Sequence, residues 1–324
     1  MRKLDKPLVS IITPCYNGED YLERYFASIL AQTYGPLELI FINDGSTDGT
    51  GRIAESYRAA LEEKGIRFIY LEQENAGQAA AVNRGLKLFT GEYLTWPDAD
   101  DEMTPDCIEK KVTYLQAHPE LDMCICRGVQ VYEEAPTVEA GILQRVFQSE
   151  ENLFDDLIFL RNVFYVPGGY MVRASAVDAC ITGREIFTGR GGQNVQLLLP
   201  VSYRHRYGYM DDILFRYFIR SDSHSHSIDT TQKVIEQYER FETLLLETLK
   251  RMPDELYVRY APDIRCHYAR IRFGNALDSR DARLIGRFYR EMARAGGANV
   301  LDWLRYKKYT VPVIRKLFDR KSGE

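Results

Sequence analysis

Asp98, Asp100 and Asp101 place three carboxylates within four residues, directly after the strand-like run Glu92 to Trp96. Crowding like charges this closely is costly unless a cation or a positive ligand compensates them. A hard divalent ion meets that need, because magnesium keeps several waters and is usually held by one or two carboxylates together with diphosphate oxygens. The same residues would also serve as an acidic turn capping a helix at Thr104 or Asp106. The segment alone leaves both readings open.

Two more polar segments carry related chemistry. Asn43-Asp44-Gly45-Ser46-Thr47-Asp48-Gly49-Thr50 has two Asp/Gly pairs in front of a helical pattern. That is good turn and N-cap chemistry, yet Asp44 at a strand end can also accept the N3–H of a uracil-type base or a ribose hydroxyl. Asn75-Ala76-Gly77-Gln78-Ala79-Ala80-Ala81-Val82-Asn83 puts small residues at a helix start, where backbone N–H groups and the helix dipole favour phosphate. Close packing would use the same small residues. The run Ser221 to Ser227 holds His224 and His226, which would either bring an imidazole to a metal or diphosphate or sit in a polar linker.

Such loops need a frame, and the first hundred residues supply the pattern of one. Leu8–Thr13, Leu37–Ile42, Ile66–Leu71 and Glu92–Trp96 read as strands, while Glu19–Gln32, Thr50–Lys64 and Gly77–Phe89 carry apolar residues at helical spacing. Alternation of this kind predicts an α/β fold with a mostly parallel central sheet flanked by helices. Ligands of such sheets sit beyond the carboxyl ends of the strands, and there the polar loops fall. A helix over 105–118, a strand region over 121–132, a less regular stretch over 133–151, a helix over 152–160, strand character over 163–173, a helix near 193–199 and a strand over 207–219 follow. From residue 228 the pattern is helical, with Pro253, Pro262 and Gly296-Gly297 as breakers. The expected organisation is therefore a domain over 1–227 and a helical C-terminal extension over 228–324.

Taken in order, Val9-Ser10-Ile11-Ile12-Thr13-Pro14-Cys15-Tyr16-Asn17-Gly18, Phe41-Ile42-Asn43-Asp44-Gly45-Ser46-Thr47-Asp48, Asn75-Ala76-Gly77 with Asn83, and Asp98-Ala99-Asp100-Asp101 resemble the family-two inverting glycosyltransferases of the GT-A fold. The resemblance covers about residues 7–227 and is closest through residue 118. It implies a nucleotide-sugar donor, most simply a UDP-sugar, a magnesium or manganese ion, and a glycan or lipid-linked saccharide as acceptor. By the same resemblance Pro14, Tyr16 and Asp44 would line the nucleoside pocket, Asn83 would lie near the diphosphate sugar, Asp98 would approach the ribose or the metal, and Asp100 would bind the metal. Thr13, Asn17, Gly77, Gln78 and Ala99 complete the expected donor site.

Two departures bear on activity. Val82 stands where the family often has arginine. Gln193-Asn194 stands where it commonly presents a Glu-Asp pair whose aspartate is the base for the acceptor hydroxyl. An amide cannot take a proton near neutral pH, so Asn194 can orient the acceptor but not deprotonate it. Three accounts follow: another carboxylate is the base, with Asp101 the first choice before Asp211 and Glu185; the acceptor oxygen is already ionised; or the chain binds nucleotide-sugar with weak or no turnover. A nicotinamide dehydrogenase fits less well, since the first strand–helix turn lacks the glycines that a pyrophosphate approach needs.

Composition excludes other classes. A formal net charge of -5 argues against a general nucleic-acid binder, and no run of about 18 apolar residues predicts a membrane span. The N-terminal stretch lacks the apolar region of a signal peptide. The six cysteines show neither zinc spacing nor a disulfide framework, with Cys124 and Cys126 alternating as strand residues. Those features predict a cytoplasmic protein. Residues 301–324 hold seven basic residues against three acidic ones, interleaved with Trp303, Leu304, Val311, Val313, Ile314, Leu317 and Phe318. This is either an anchor at the inner membrane face or a helix packed on its own protein with the basic residues outward.

Overall fold

The computed structural model describes residues 6–144, 153–161, 168–189, 192–220 and 230–311. They form two compact units, within Met1–Arg220 and Ser221–Glu324. The boundary expected near residue 228, like His224 and His226, lies outside the described residues.

Strand β1 (Val9–Cys15) and β2 (Leu37–Asn43) are buried along their whole length. Near-continuous burial is what parallel strands with both faces covered require. They pair in parallel with each other, with β3 (Ile66–Glu72) and with β4 (Tyr93–Thr95). Helix α1 (Leu22–Leu30) buries Leu22, Tyr25, Phe26 and Ile29, the 3–4 residue spacing that faces one side of a helix to a sheet. The helix expected over 50–64 is two, α2 (Thr50–Ser56) and α3 (Arg58–Glu63), interrupted at Tyr57, whose ring stacks on Phe26 with centroids 4.8 Å apart. Helix α4 (Gln78–Leu88) returns the chain to β4.

Beyond β4 the sheet becomes mixed. Its order is β3-β2-β1-β4-β8-β6-β9-β5, with β7 paired to β6. Here β5 is Glu102–Met103, β6 Met123–Tyr132, β7 Ala135–Leu143, β8 Tyr170–Arg173 and β9 Tyr207–Ile219. Strand β8 runs antiparallel to β4 and β6, whereas β9 is parallel to β6. The stretch read as irregular over 133–151 thus contains a strand; β7 is largely exposed and carries Pro136, a residue that argues against a strand. Gly128 in β6 is fixed by packing, because a Cβ there would fall 1.9 Å from the Phe215 ring of β9. Helices α5 (Cys107–Ala117), α6 (Leu153–Phe159), α7 (Ala174–Cys180) and α8 (Gln193–Arg204) complete the first unit. Cys124 and Cys126 are buried in β6, and all six cysteines are free.

The second unit contains α9 (Thr231–Leu249), α10 (Asp254–Ser279), α11 (Ala282–Arg294) and α12 (Val300–Thr310). Pro262 does not break the pattern as expected: it lies inside α10, where packing outweighs a local cost of about 3 kcal/mol. Pro253 precedes α10, and Gly296-Gly297 separate α11 from α12. No helix among the described residues is long and apolar enough to cross a membrane.

One buried charge ties the parallel half together. Glu38 of β2 is fully buried; it accepts from the Ser10 hydroxyl at 2.7 Å, Arg67 at 2.8 Å, and the Thr90 amide and hydroxyl at 2.9 and 3.0 Å. Glu38→Ala would leave the Ser10 and Thr90 groups unsatisfied and is expected to cost about 3 kcal/mol. Arg67→Ala, which removes an exposed partner, should cost about 1 kcal/mol or less. Guanidinium unfolding of both variants measures the difference, and equal losses would contradict this assignment.

Candidate active site

The end of β1 and the loop after β2 are stitched together by short side chains. Asn17 sits at φ +51°, accepts from the Thr47 amide at 2.9 Å, and donates its own amide to the Ser46 hydroxyl at 2.9 Å. The Gly18 amide donates to Thr50 Oγ1 at 2.7 Å, and the Glu19 amide to Asp48 at 3.0 Å. Asparagine tolerates the left-handed region better than most residues, so the chain reverses here without glycine. Tyr16, between these anchors, is 47% exposed, an aromatic face open to a planar ligand. Thr13 departs from its expected place: it is fully buried, and its hydroxyl shares a hydrogen bond with Tyr25 and donates to the Pro97 carbonyl at 3.2 Å. Its side chain supports the site from beneath and does not line it.

Asp44 organises the third loop. Its Oδ1 accepts from Gln73 Nε2 at 2.6 Å and the Ala76 amide at 2.9 Å, and Oδ2 from the Gly77 amide at 2.9 Å. Three of about four lone-pair positions are used, leaving one on Oδ2. Gly45 at φ +71° permits the approach, since a Cβ there would meet the Asn75 amide nitrogen at 2.6 Å. Gly77, at φ 89° and ψ 159°, occupies a region open essentially to glycine alone and starts α4. Gln78, in the first turn, donates to Asp98 Oδ1 at 2.7 Å. Asn83 is corrected by the structure. Its amide oxygen accepts from the Ile186 amide at 2.8 Å and its NH2 donates to the Ile186 carbonyl at 2.9 Å, so a buried side chain expected near the diphosphate sugar clamps backbone instead.

The acidic segment follows β4. Burial and then the charge of Asp100 push the Asp98 carboxyl well above the usual carboxylate range. Asp101, between buried Ala99 and β5, is 4% exposed; burial first, then Asp100 and Asp98, push it up as well. Its Oδ1 accepts from the Phe218 amide at 3.3 Å, and its buried Oδ2 has no hydrogen-bond partner. A general base must be ionised and reach the hydroxyl, and Asp101 is turned into the protein. The first-choice base is thus corrected. The two other carboxylates considered are occupied at the surface, Asp211 by Arg127 and Glu185 by Lys87 at 3.0 Å.

Two arginines not foreseen from sequence enclose this segment. Arg220, just past β9, pairs with Asp100 Oδ2 at 3.3 Å and lies over the Tyr21 ring at 4.5 Å. Arg24 of α1 donates to the Asp100 carbonyl at 2.8 Å, pairs with Glu133 at 2.6 Å, and covers the Phe218 ring at 3.5 Å. Burial and Asp100 also push the Cys15 thiol up, which keeps it from acting as thiolate nucleophile or ligand. Among the described residues no three His, Cys, Asp or Glu side chains form a metal-holding group. Asp98 and Asp100 offer carboxylate oxygens alone, which suits a hard cation completing its shell with diphosphate oxygens and water.

Gln193 and Asn194, both buried, open α8 after Gly192 in the left-handed conformation. Asn194 Oδ1 accepts from Trp96 Nε1 at 2.7 Å and from the Tyr170 hydroxyl. Gln196 binds the Phe187 amide at 2.7 Å and carbonyl at 2.8 Å. The segment before α8 is therefore held by two carboxamides, Asn83 on Ile186 and Gln196 on Phe187.

Residues 10–180 match the family described as glycosyl transferase family 2. An uncharacterized glycosyltransferase of Rickettsia prowazekii, RP339, is 28% identical over 294 residues, 87% of this chain and 88% of that protein. Several other relatives are matched over only 16% to 38% of their own length. Among solved structures, S. aureus TarS 1-349 in complex with UDP-GlcNAc aligns with a TM-score of 0.55 at 16% identity, over 93% of this chain and 91% of that one. The mannosyltransferase PcManGT of Pyrobaculum calidifontis, in complex with GDP-Man and Mn2+, aligns at 0.51 and 16%, over 98% and 88%. These structural likenesses establish a shared GT-A fold.

Asp44→Ala removes the acceptor that holds Ala76 and Gly77. Hydrogen exchange at those two amides should accelerate by roughly 10-fold or more, the equivalent of about 1.5 kcal/mol, and UDP affinity measured by calorimetry should fall in parallel. Unchanged exchange would mean that the loop holds its shape without Asp44.

Proposed function

The chain belongs to glycosyl transferase family 2, and from that premise we propose that it transfers a sugar, with inversion, from a UDP-sugar to a glycan or lipid-linked saccharide in a divalent-metal-dependent reaction. The carrying observation is the convergence of exposed Tyr16, the Asp44-organised loop and the Asp98–Asp100 carboxylates around the carboxyl ends of β1, β2 and β4. The UDP-GlcNAc bound by TarS supports the uridine reading, and the Mn2+ of PcManGT the cation.

In this reading Tyr16 and Pro14 receive the base. The remaining lone pair of Asp44 Oδ2 accepts from a base N–H or a ribose hydroxyl. The first turn of α4, eleven residues long, turns free amides toward phosphate. A magnesium or manganese ion held by Asp98 and Asp100 would neutralise the charge that gathers on the departing diphosphate. The acceptor oxygen attacks the anomeric carbon from the face opposite the diphosphate; as that bond forms, the bond to the diphosphate oxygen breaks, its electron pair leaves with the nucleotide, and the hydroxyl proton passes to water. Asn194, fixed by Trp96 and Tyr170, orients the acceptor.

A second reading, a nucleotide-sugar-binding protein with weak turnover, is favoured by the same Asn194. Its oxygen serves two donors, and Asp101 faces inward. A screen of donors by mass spectrometry, scoring hydrolysis without acceptor and transfer with it, separates the readings.

Asp100→Asn should remove cation-dependent UDP affinity, by at least about 10-fold in a calorimetric titration with manganese, while the circular dichroism spectrum stays parental. Undiminished affinity in manganese would sink the metal assignment. Asn194→Ala should lower transfer on the order of 10- to 100-fold, as expected for losing a positioning hydrogen bond, with donor hydrolysis retained. If Asn194→Asp instead turns over much faster than the parent, the parent is an impaired transferase and the binding reading prevails.

A further inference from the structure

Helix α12 presents its apolar side to solvent. Asn299 caps it, accepting from the Asp302 amide at 2.9 Å while its own amide donates to Asp302 Oδ2 at 3.1 Å. Asp302 is buried and pairs with Arg270 at 3.2 Å. Tyr306 stacks on Tyr289 of α11 with centroids 4.4 Å apart, and Tyr309 packs on the same cluster. Asp302, Tyr306 and Tyr309 thus define the inward face. At 100° per residue Val300, Leu301, Trp303 and Leu304 fall on the other side, and they are 73%, 62%, 44% and 41% exposed. An ordinary surface helix does the reverse.

Two lysines lie with the apolar residues. Arg305 is exposed but sits on the flank, its guanidinium 3.8 Å from Asp302 Oδ1, whereas Lys307 extends its ammonium over the rings of Trp303 and Tyr306 at 5.8 and 5.4 Å. Lys308 lies over Tyr309 at 5.6 Å. The one acid in α12, Asp302, is inside. The outward face therefore combines a tryptophan, three aliphatic side chains and two lysines, with the one carboxylate of the helix turned inward.

We propose that this face seats the protein on an anionic lipid surface, with Trp303 and Leu304 entering the headgroup–acyl boundary and Lys307 and Lys308 meeting lipid phosphates. An apolar contact flanked by lysines that snorkel over aromatic rings suits an interface lying flat on a bilayer. The inference rests on the second unit alone and does not depend on the donor or the acceptor.

Sedimentation of the full chain with vesicles tests it. The protein should pellet with phosphatidylcholine vesicles containing phosphatidylglycerol at low salt, and not with phosphatidylcholine alone. Lys307→Gln with Lys308→Gln should weaken binding on the order of 30-fold, about fivefold per cation, and Trp303→Ser with Leu304→Ser should abolish it, both with parental circular dichroism. Brominated lipid should quench Trp303 and spare Trp96, which is buried. Absence of binding to anionic vesicles, equal binding by all variants, or a dimer that the Trp303/Leu304 variant dissolves while vesicles capture nothing, would each overturn the proposal.

Discussion

Three carboxyl groups at the end of β4 cannot all carry charge in a partly dry loop without compensation, and much of the first unit is arranged around that constraint. Gln78 comes from the start of α4, Arg220 from the end of β9, and Arg24 from α1; the Phe218 amide of β9 serves the innermost carboxyl. Burial first, and then the neighbouring carboxylates, push the Asp98 and Asp101 carboxyls up. A site that holds negative charge at a cost is also one that gains most from a cation, because repulsion relieved on binding adds to affinity. The Arg220–Asp100 pair partly offsets that repulsion within the protein itself.

Neutral carboxamides do much of the remaining positioning. Asn83, Gln196, Asn194, Gln73 and Gln78 each fix a loop or a carboxylate through a side-chain amide. An amide offers a donor and an acceptor without adding charge. Near a segment already dense in carboxylates this matters: an aspartate at position 194, bonded to the Trp96 ring two residues before Asp98, would bring another negative group to the same region. An amide at position 194 thus spares the acidic loop a further negative charge.

The sequence by itself determined the α/β alternation, the loops that end β1, β2 and β4, and the family, because strand burial and strand-end glycines are local properties written in consecutive residues. The fold class read from those patterns is the one observed, with an uninterrupted parallel run over β3-β2-β1-β4 and a mixed part beyond it that contains the parallel β6–β9 pair. Gly45 and Gly77 were legible as loop residues for the same reason: a positive φ is a local demand that few residue types meet.

What only the tertiary structure decided was which way each polar side chain points. Thr13 follows the motif but turns to Tyr25 and Pro97; Asn83 belongs to the third loop's helix but bonds Ile186, 103 residues away; Asp101 sits in the acidic run but faces Phe218, 117 residues away. Arg24 and Arg220 joined the site from elements that carry no motif, and α12 turned its apolar side outward because Asp302 and two tyrosines found partners within the second unit. Spacing fixes where a residue leaves the backbone. Its hydrogen-bond partner is fixed by elements distant in the chain, whose approach depends on the packing of the whole unit.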